Sequence, residues 1–207
     1  MKAFTRLLAA AIPYDASNVD TDQIVPARFL SRARHDGFGG QLFHDLRFDA
    51  QGAPRPDFIL NDPQYRDARI IVADDNFGCG SSREVAVWAL MDYGIEAVIA
   101  CSYGEIFHNN SLKNGLLPVI LPAADVRAIR TALMAGTYRE LDIDLAAQRV
   151  RTPDGGEYGF EVDPLRKQLL LNGTDEIQYT LQHDAQLQAF EQAYDREFPW
   201  LAGRTGA

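Results

Sequence analysis

The sequence predicts an α/β protein with a parallel core and additional antiparallel strands, and three observations predict it. Arg69-Ile70-Ile71-Val72-Ala73 is a continuous apolar run rich in β-branched residues, the pattern of a strand buried on both faces. After a short loop, the residues through Tyr93 are apolar almost all round and stop at Gly94, which reads as a buried helix. Ile95-Glu96-Ala97-Val98-Ile99-Ala100 is a second strand-like run. Strand, helix and strand in that order imply a parallel pair with a right-handed crossover.

The remaining elements follow from the same signals. Residues 1–12 have a basic start and a short apolar centre, and Pro13-Tyr14-Asp15 replaces a small-residue cleavage site; this predicts a first strand rather than a leader. Residues 104–113 predict a helix, although Asn109-Asn110-Ser111 weakens its propensity. Residues 116–121 predict a strand, and Pro118 places it at an edge or a strand end. A helix is expected over 125–134. Strands are expected over 141–151 and 158–162, joined through Pro153-Asp154-Gly155-Gly156. Helices close the chain over 164–171 and between 184 and 197. A single domain is expected over 1–200, with a fraying tail over 201–207.

Composition excludes several classes. Among 207 residues, 29 acidic against 20 basic side chains give a net charge of −9. That balance disfavours nucleic acid and anionic membrane, because counterion release would oppose binding. An anionic substrate would therefore need a local cluster of donors. No apolar run approaches the roughly 20 residues that span a bilayer, and a cytoplasmic protein is expected. The two cysteines, Cys79 and Cys101, are too few for a disulfide framework and lack metal-ligand spacing. A cubane cluster takes three or four cysteine ligands, so none is expected in this chain. His35, His44, His108 and His183 form no ligand pattern either.

The chemistry-bearing segment is Asn76-Phe77-Gly78-Cys79-Gly80-Ser81-Ser82-Arg83-Glu84, in the loop beyond the first buried strand. In open α/β sheets, ligands bind at the carboxyl ends of strands. Ser81 with Glu84 three residues on fits a capping box, with Ser81 as N-cap. Amides at a helix start, serine hydroxyls and an arginine fork together make a carboxylate or phosphate site. A well-capped strand-to-helix turn would account for the same residues without any ligand. A P-loop is excluded because no lysine follows the glycines. A nucleophile elbow is excluded because Arg83 and Glu84 stand where it needs glycine. The segment Asn18-Val19-Asp20-Thr21-Asp22-Gln23-Ile24 reads, on composition, as a self-organising polar turn.

Thr21-Asp22-Gln23-Ile24, the run from Gly78 to Glu84, and the run from Ser102 to Pro118 occur in order. This series resembles the swivelling domain of the aconitase superfamily. The fuller block from Asn18 to Leu30, with Gly37-Phe38-Gly39, Leu42-Phe43, Asn172-Gly173 and Leu181-Gln182-His183-Asp184, extends the resemblance to the bacterial isopropylmalate dehydratase small-subunit family, over nearly the whole chain. The resemblance implies a three-layer β/β/α swivelling domain with a mixed sheet around a parallel core. It implies a hydro-lyase of leucine biosynthesis acting on a small dicarboxylate, active only with a large subunit that holds a [4Fe–4S] cluster. By position, Ser81 matches the catalytic base, and Ser82 and Arg83 match groups that hold substrate carboxylate. Thr21, Asp22, Gly78 and Gly80 match supporting positions.

The chemistry suits those assignments. Removing a proton beside a carboxylate needs a base, and donors for the charge that develops. Serine is a poor base at its ordinary acidity, and helix-start amides with Arg83 are the features that could stabilise its alkoxide. Val85 stands where many relatives have histidine. Related dicarboxylates, such as a methyl-substituted malate or a homoaconitate-type acid, and a non-catalytic binding paralogue, are the alternatives. Residues 29–45 are expected to form a substrate-reading loop, with Leu30 and Phe38 reading the apolar group and Gly37, Gly39 and Gly40 permitting movement.

Overall fold

The computed structural model describes residues 1–81 and 83–200. The elements in chain order are β1 (Arg6–Pro13), α1 (Thr21–Ile24), α2 (His44–Arg47), β2 (Ile70–Val72), α3 (Glu84–Tyr93), β3 (Ala97–Ala100), α4 (Glu105–Asn114), β4 (Leu117–Ile120), α5 (Ala123–Met134), β5 (Glu140–Asp144), β6 (Arg149–Arg151), β7 (Glu157–Gly159), α6 (Pro164–Asn172), α7 (Glu176–Leu181) and α8 (Asp184–Glu197). Short 3₁₀ turns punctuate the long connection between α1 and β2. The described residues divide into two compact units, one over 1–173 and one from Thr174 onward; one domain over 1–200 was expected. The expected tail, 201–207, lies outside the described residues.

The first unit is a mixed α/β fold on a seven-stranded sheet of order β4-β3-β2-β1-β5-β6-β7. Strand β1 is the junction. Its first half, Arg6 to Ala10, runs antiparallel to β5, and its second half, Ala11 to Pro13, runs parallel to β2. Burial follows the change of neighbours. The first half alternates exposed Arg6 and Leu8 with buried Leu7 and Ala9, whereas Ala11 to Pro13 are buried throughout.

The parallel strands β1 to β4 separate two apolar cores, which is why they read as continuous apolar runs. Ile70, Val72, Ala97 and Ile99 face one core, shared with Val126, Ile129 and Leu133 of α5. Ile71, Val98 and Ala100 face the other, shared with Ala86, Val87, Ala89 and Leu90 of α3. Pro118 pairs with Val98 on the edge strand β4, where its missing N–H is tolerated. Gly94 ends α3 at φ 113°, with its N–H on the carbonyls of Leu90 and Met91.

Two expectations need correction. The single strand over 141–151 is two strands, β5 and β6, joined by a turn at 145–148 in which Gln148 has φ 53°. Leu145 is fully buried in that turn, so an apolar pattern concealed it. Helix α7 was not foreseen, although Asp175 and Gln178 form a reciprocal capping box at its start. The second unit comprises α7 and α8, with Ile177, Leu181 and Phe190 among its exposed apolar side chains.

Candidate active site

The loops after β1, β2 and β3 leave the sheet at the same, carboxyl end and bond to one another. The β1 and β2 loops zip together from root to tip. Asn18 N–H donates to the Asp75 carbonyl (2.9 Å), Gly78 N–H to the Val19 carbonyl (2.7 Å), and Thr21 N–H to the Cys79 carbonyl (2.9 Å). Asn76 Nδ2 donates to Asn18 Oδ1 at 2.8 Å. Both asparagines are left-handed, with φ 57° and 53°, a conformation that asparagine tolerates. On the other side, Phe77 N–H donates to the Ser102 carbonyl (3.1 Å) and Gly104 N–H to the Phe77 carbonyl (3.0 Å). The motif loop is therefore held along both edges.

At the tip, the structure brings together Thr21, Asp22, Gly78, Gly80, Ser81 and Arg83. Thr21 Oγ1 donates to the Ser81 carbonyl at 2.9 Å, and Thr21 is almost wholly buried. Ser81 is exposed. The Arg83 guanidinium forms a two-pronged ion pair with Asp22, Nη1 on Oδ1 and Nη2 on Oδ2, the latter at 2.9 Å. Nη1 also lies 3.4 Å from the Val25 carbonyl. The Arg83 hydrogen bond holds the Asp22 carboxyl below the ordinary carboxylate value. Helix α1 positions Asp22: Asp20 caps it by accepting from Gln23 N–H at 2.7 Å. Ser82, the other expected carboxylate-holding residue, lies outside the described residues.

Two expectations change here. Ser81 does not cap α3. The helix starts at Glu84, its N-cap is Arg83 in extended conformation, and no side chain caps it among the described residues. The Glu84 carboxylate, in the first turn of the helix, accepts from Asn114 Nδ2 at 2.8 Å. At the head of this ten-residue helix Ala86 N–H donates to the Arg83 carbonyl at 3.2 Å, and no described side chain takes the amides of Glu84 and Val85, the kind of donors that an anion accepts from. Part of the Arg83 fork, expected to face substrate, is engaged by Asp22.

The expected reading loop is also placed differently. Phe38 is only 1% exposed and packs on Trp88 with ring centroids 6.0 Å apart, so it is a core residue, while Leu30 is 40% exposed. Neither contacts Ser81 or Arg83 among the described interactions. Gly39 is a close-packing position rather than a hinge, since a Cβ there would lie 2.7 Å from the Asp92 carbonyl oxygen. Asp92 further anchors the loop by accepting from Phe38 N–H (2.8 Å) and from both Arg34 amino groups. Val85 is half-buried against the α3 core.

Sequence reasoning missed Arg130. It lies on the inward face of α5 with Val126, Ile129 and Leu133, and a lone charge on an apolar stripe was the available signal. Burial pushes the Asp74 carboxyl up, but hydrogen bonds from Arg130 and Cys101 outweigh it and hold the group below its usual range. Burial, then Asp74, pushes the Cys101 thiol up to about 11. Burial and the Asp20 charge likewise raise Cys79, so neither cysteine is an activated thiolate. The donors do not fit an iron–sulfur cluster: there are two cysteines, and among the described residues no three His, Cys, Asp or Glu side chains converge to hold a metal ion.

A mixed sheet with a parallel core, with three bonded loops at the carboxyl end of its strands, fits the class of the swivelling domains. A model of the aconitase C-terminal domain matches residues 1–124, a LeuD_N model matches 132–164, and a model of the C-terminal domain of the 3-isopropylmalate dehydratase small subunit matches 176–204. The chain is 49% identical over 203 residues to a 3-isopropylmalate dehydratase small subunit of Rhodospirillum centenum, covering 98% of this chain and 100% of the relative. It is 47% identical to that of Azorhizobium caulinodans, covering 97% and 100%. A crystal structure of 3-isopropylmalate dehydratase from a Methanocaldococcus species superposes with a TM-score of 0.60 at 25% identity, covering 90% of this chain and 99% of the other. The chain belongs to the 3-isopropylmalate dehydratase small subunit family.

Proposed function

We propose that this chain is the small subunit of a heteromeric hydro-lyase that interconverts 2-isopropylmalate and 3-isopropylmalate in leucine biosynthesis. Its expected partner is a large subunit that holds the [4Fe–4S] cluster. The observation that carries this reading is the joined tip, where Ser81 and Arg83 are held by Thr21 and Asp22 beside the uncapped amino end of α3. Exposure of Ser81 supports a two-chain site, because a base open to bulk water works poorly until a partner covers it. No helix among the described residues is long and apolar enough to cross a membrane, which is compatible with a cytoplasmic enzyme.

In this reading Ser81 removes the proton from the substrate carbon beside a carboxylate. The α3 amides favour negative charge on its oxygen. Arg83 holds substrate carboxylate by donors that Asp22 and Val25 leave over. An arginine has five N–H donors, and the described contacts engage those on Nη1 and one on Nη2. Asp22 thus orients the guanidinium while its remaining edge meets the substrate. Ser82 would hold the same carboxylate.

The test is Ser81→Ala, assayed with the large subunit and isopropylmalate. Loss of a general base predicts a kcat lower by roughly 100-fold or more. Since Ser81 caps nothing, its removal should shift stability by no more than about 0.5 kcal/mol, as for other exposed sites. Near-normal turnover by an assembled Ser81→Ala enzyme would remove Ser81 from the mechanism.

A further inference from the structure

We propose that Arg130 is a positioning residue for the reaction, fixing the roots of the β1 and β2 loops so that their tips meet in catalytic register. The proposal rests on the reading of Ser81 and Arg83 given above. Arg130 is 7% exposed, and its guanidinium spans both loop roots. Nη1 donates to the Ala73 carbonyl at 3.2 Å. Nη2 donates to Asp74 Oδ2 at 3.0 Å and lies 2.9 Å from Asp15 Oδ1. Ala73 and Asp74 follow β2 directly, and Asp15 is the second residue after β1. No other described side chain ion-pairs with acids from both loops.

The backbone places the same residues at the branch point. Asp74 N–H donates to the Ala16 carbonyl (3.2 Å), and Cys101 N–H donates to the Asp74 carbonyl (3.2 Å), so Asp74 touches all three loops. A buried guanidinium is expensive unless paired. Here it is shared by two carboxylates and also donates to one carbonyl, three separated acceptors that match the reach of a planar fork. Lysine would keep the charge but lose the span. Arg130 touches neither Ser81 nor Arg83 among the described contacts, so any effect on chemistry must pass through the loops.

The experiment uses the full chain, alone and assembled with the large subunit, carrying Arg130→Lys, Asp15→Asn, or Arg130→Lys with Ser81→Ala. Amide hydrogen exchange on the free chain should accelerate at least about 10-fold at Asn18, Gly78 and Phe77 in Arg130→Lys, with β3 amides unchanged. Turnover of the assembled Arg130→Lys enzyme should fall on the order of 10- to 100-fold, the scale set by a displacement of about 1 Å. Asp15→Asn, which keeps the Asp74 and Ala73 bonds, should show smaller changes of the same kind. In the Ser81→Ala background, Arg130→Lys should lower kcat little further, because the misplaced base is already absent. Unchanged exchange in the loops, or loosened loops with unchanged turnover, overturns the proposal. Full turnover of Ser81→Ala alone would overturn the functional reading instead, and the exchange data would still report whether Arg130 staples the loops.

Discussion

Gly78 is the position where a single methyl group should test the architecture of the site most directly. Its φ is +71°, and a Cβ built there would lie 2.1 Å from Cγ of Phe107, with two further ring carbons at 2.5 and 2.6 Å. Phe107 is buried on α4 and packs edge-on to Phe77 at 5.5 Å, so the ring has little room to withdraw. Gly80 is the internal control: its φ is +87°, but a Cβ there would meet nothing closer than 3.4 Å. Gly80→Ala therefore incurs only the left-handed backbone cost of about 1–2 kcal/mol. Gly78→Ala incurs that cost and an overpacking cost of about 1–3 kcal/mol, for about 2–5 kcal/mol in all. Urea unfolding of both variants, followed by far-ultraviolet circular dichroism, measures the difference. A Gly78→Ala variant no less stable than Gly80→Ala would refute the close packing of the motif loop on α4.

Other outcomes follow from the same structure. Asp22 has its folded pKa depressed by Arg83, so its contribution to stability is full above about pH 4 and is lost as pH falls through the lower folded value. Asp22→Asn should accordingly flatten the loss of stability between about pH 4 and the acid transition; an acid-unfolding profile parallel to that of the parent chain would show the pair contributes nothing. Phe38→Ala should cost about 3–5 kcal/mol as a core truncation, whereas Leu30→Ala should leave unfolding unchanged and lower kcat/KM more for isopropylmalate than for a methyl-substituted malate. Equal losses on both substrates would exclude Leu30 from side-group selection.

The fold was legible where burial is two-sided. Residues 70–72 and 97–100 lie between two cores, so every side chain is apolar and the pattern has no competing interpretation. Legibility failed where local chemistry is ambiguous. The turn at 145–148 contains Leu145, Ala146 and Ala147, which continue an apolar pattern although the backbone reverses. Ser81 and Glu84 have the spacing of a capping box, yet Asn114, thirty residues on, takes the glutamate. The glycines of the loop before α2 suggested movement, but Gly39 is small because α3 passes against it. Tertiary partners decided each case, and a local motif does not name them. The residues of the site were visible as a motif and by resemblance, but their mutual arrangement was not, since Arg83 meets Asp22 sixty-one residues away.

That arrangement has a simple origin in the sheet. Pro13 pairs with Val72 at the end of the β1–β2 ladder, and Asp20 pairs with Cys79 in an isolated parallel bridge beyond it. Both pairs have the same separation in sequence, so the two loops have equal length and return to the register of their strands. Each contains one left-handed asparagine, Asn18 and Asn76, and these bond to each other. The β2 and β3 loops differ: Val72 pairs with Ile99 but Phe77 with Tyr103, so the β2 loop is one residue longer there. The extra residue falls in the stretch holding Asn76, whose left-handed turn absorbs it as a bulge would. The motif loop thus keeps the register of β1, whose following loop leads into α1 with Thr21 and Asp22, and gives up that of β3. The parallel sheet sets the spacing of the site, and the side chains of Thr21 and Asp22 then meet the Ser81 carbonyl and the Arg83 fork.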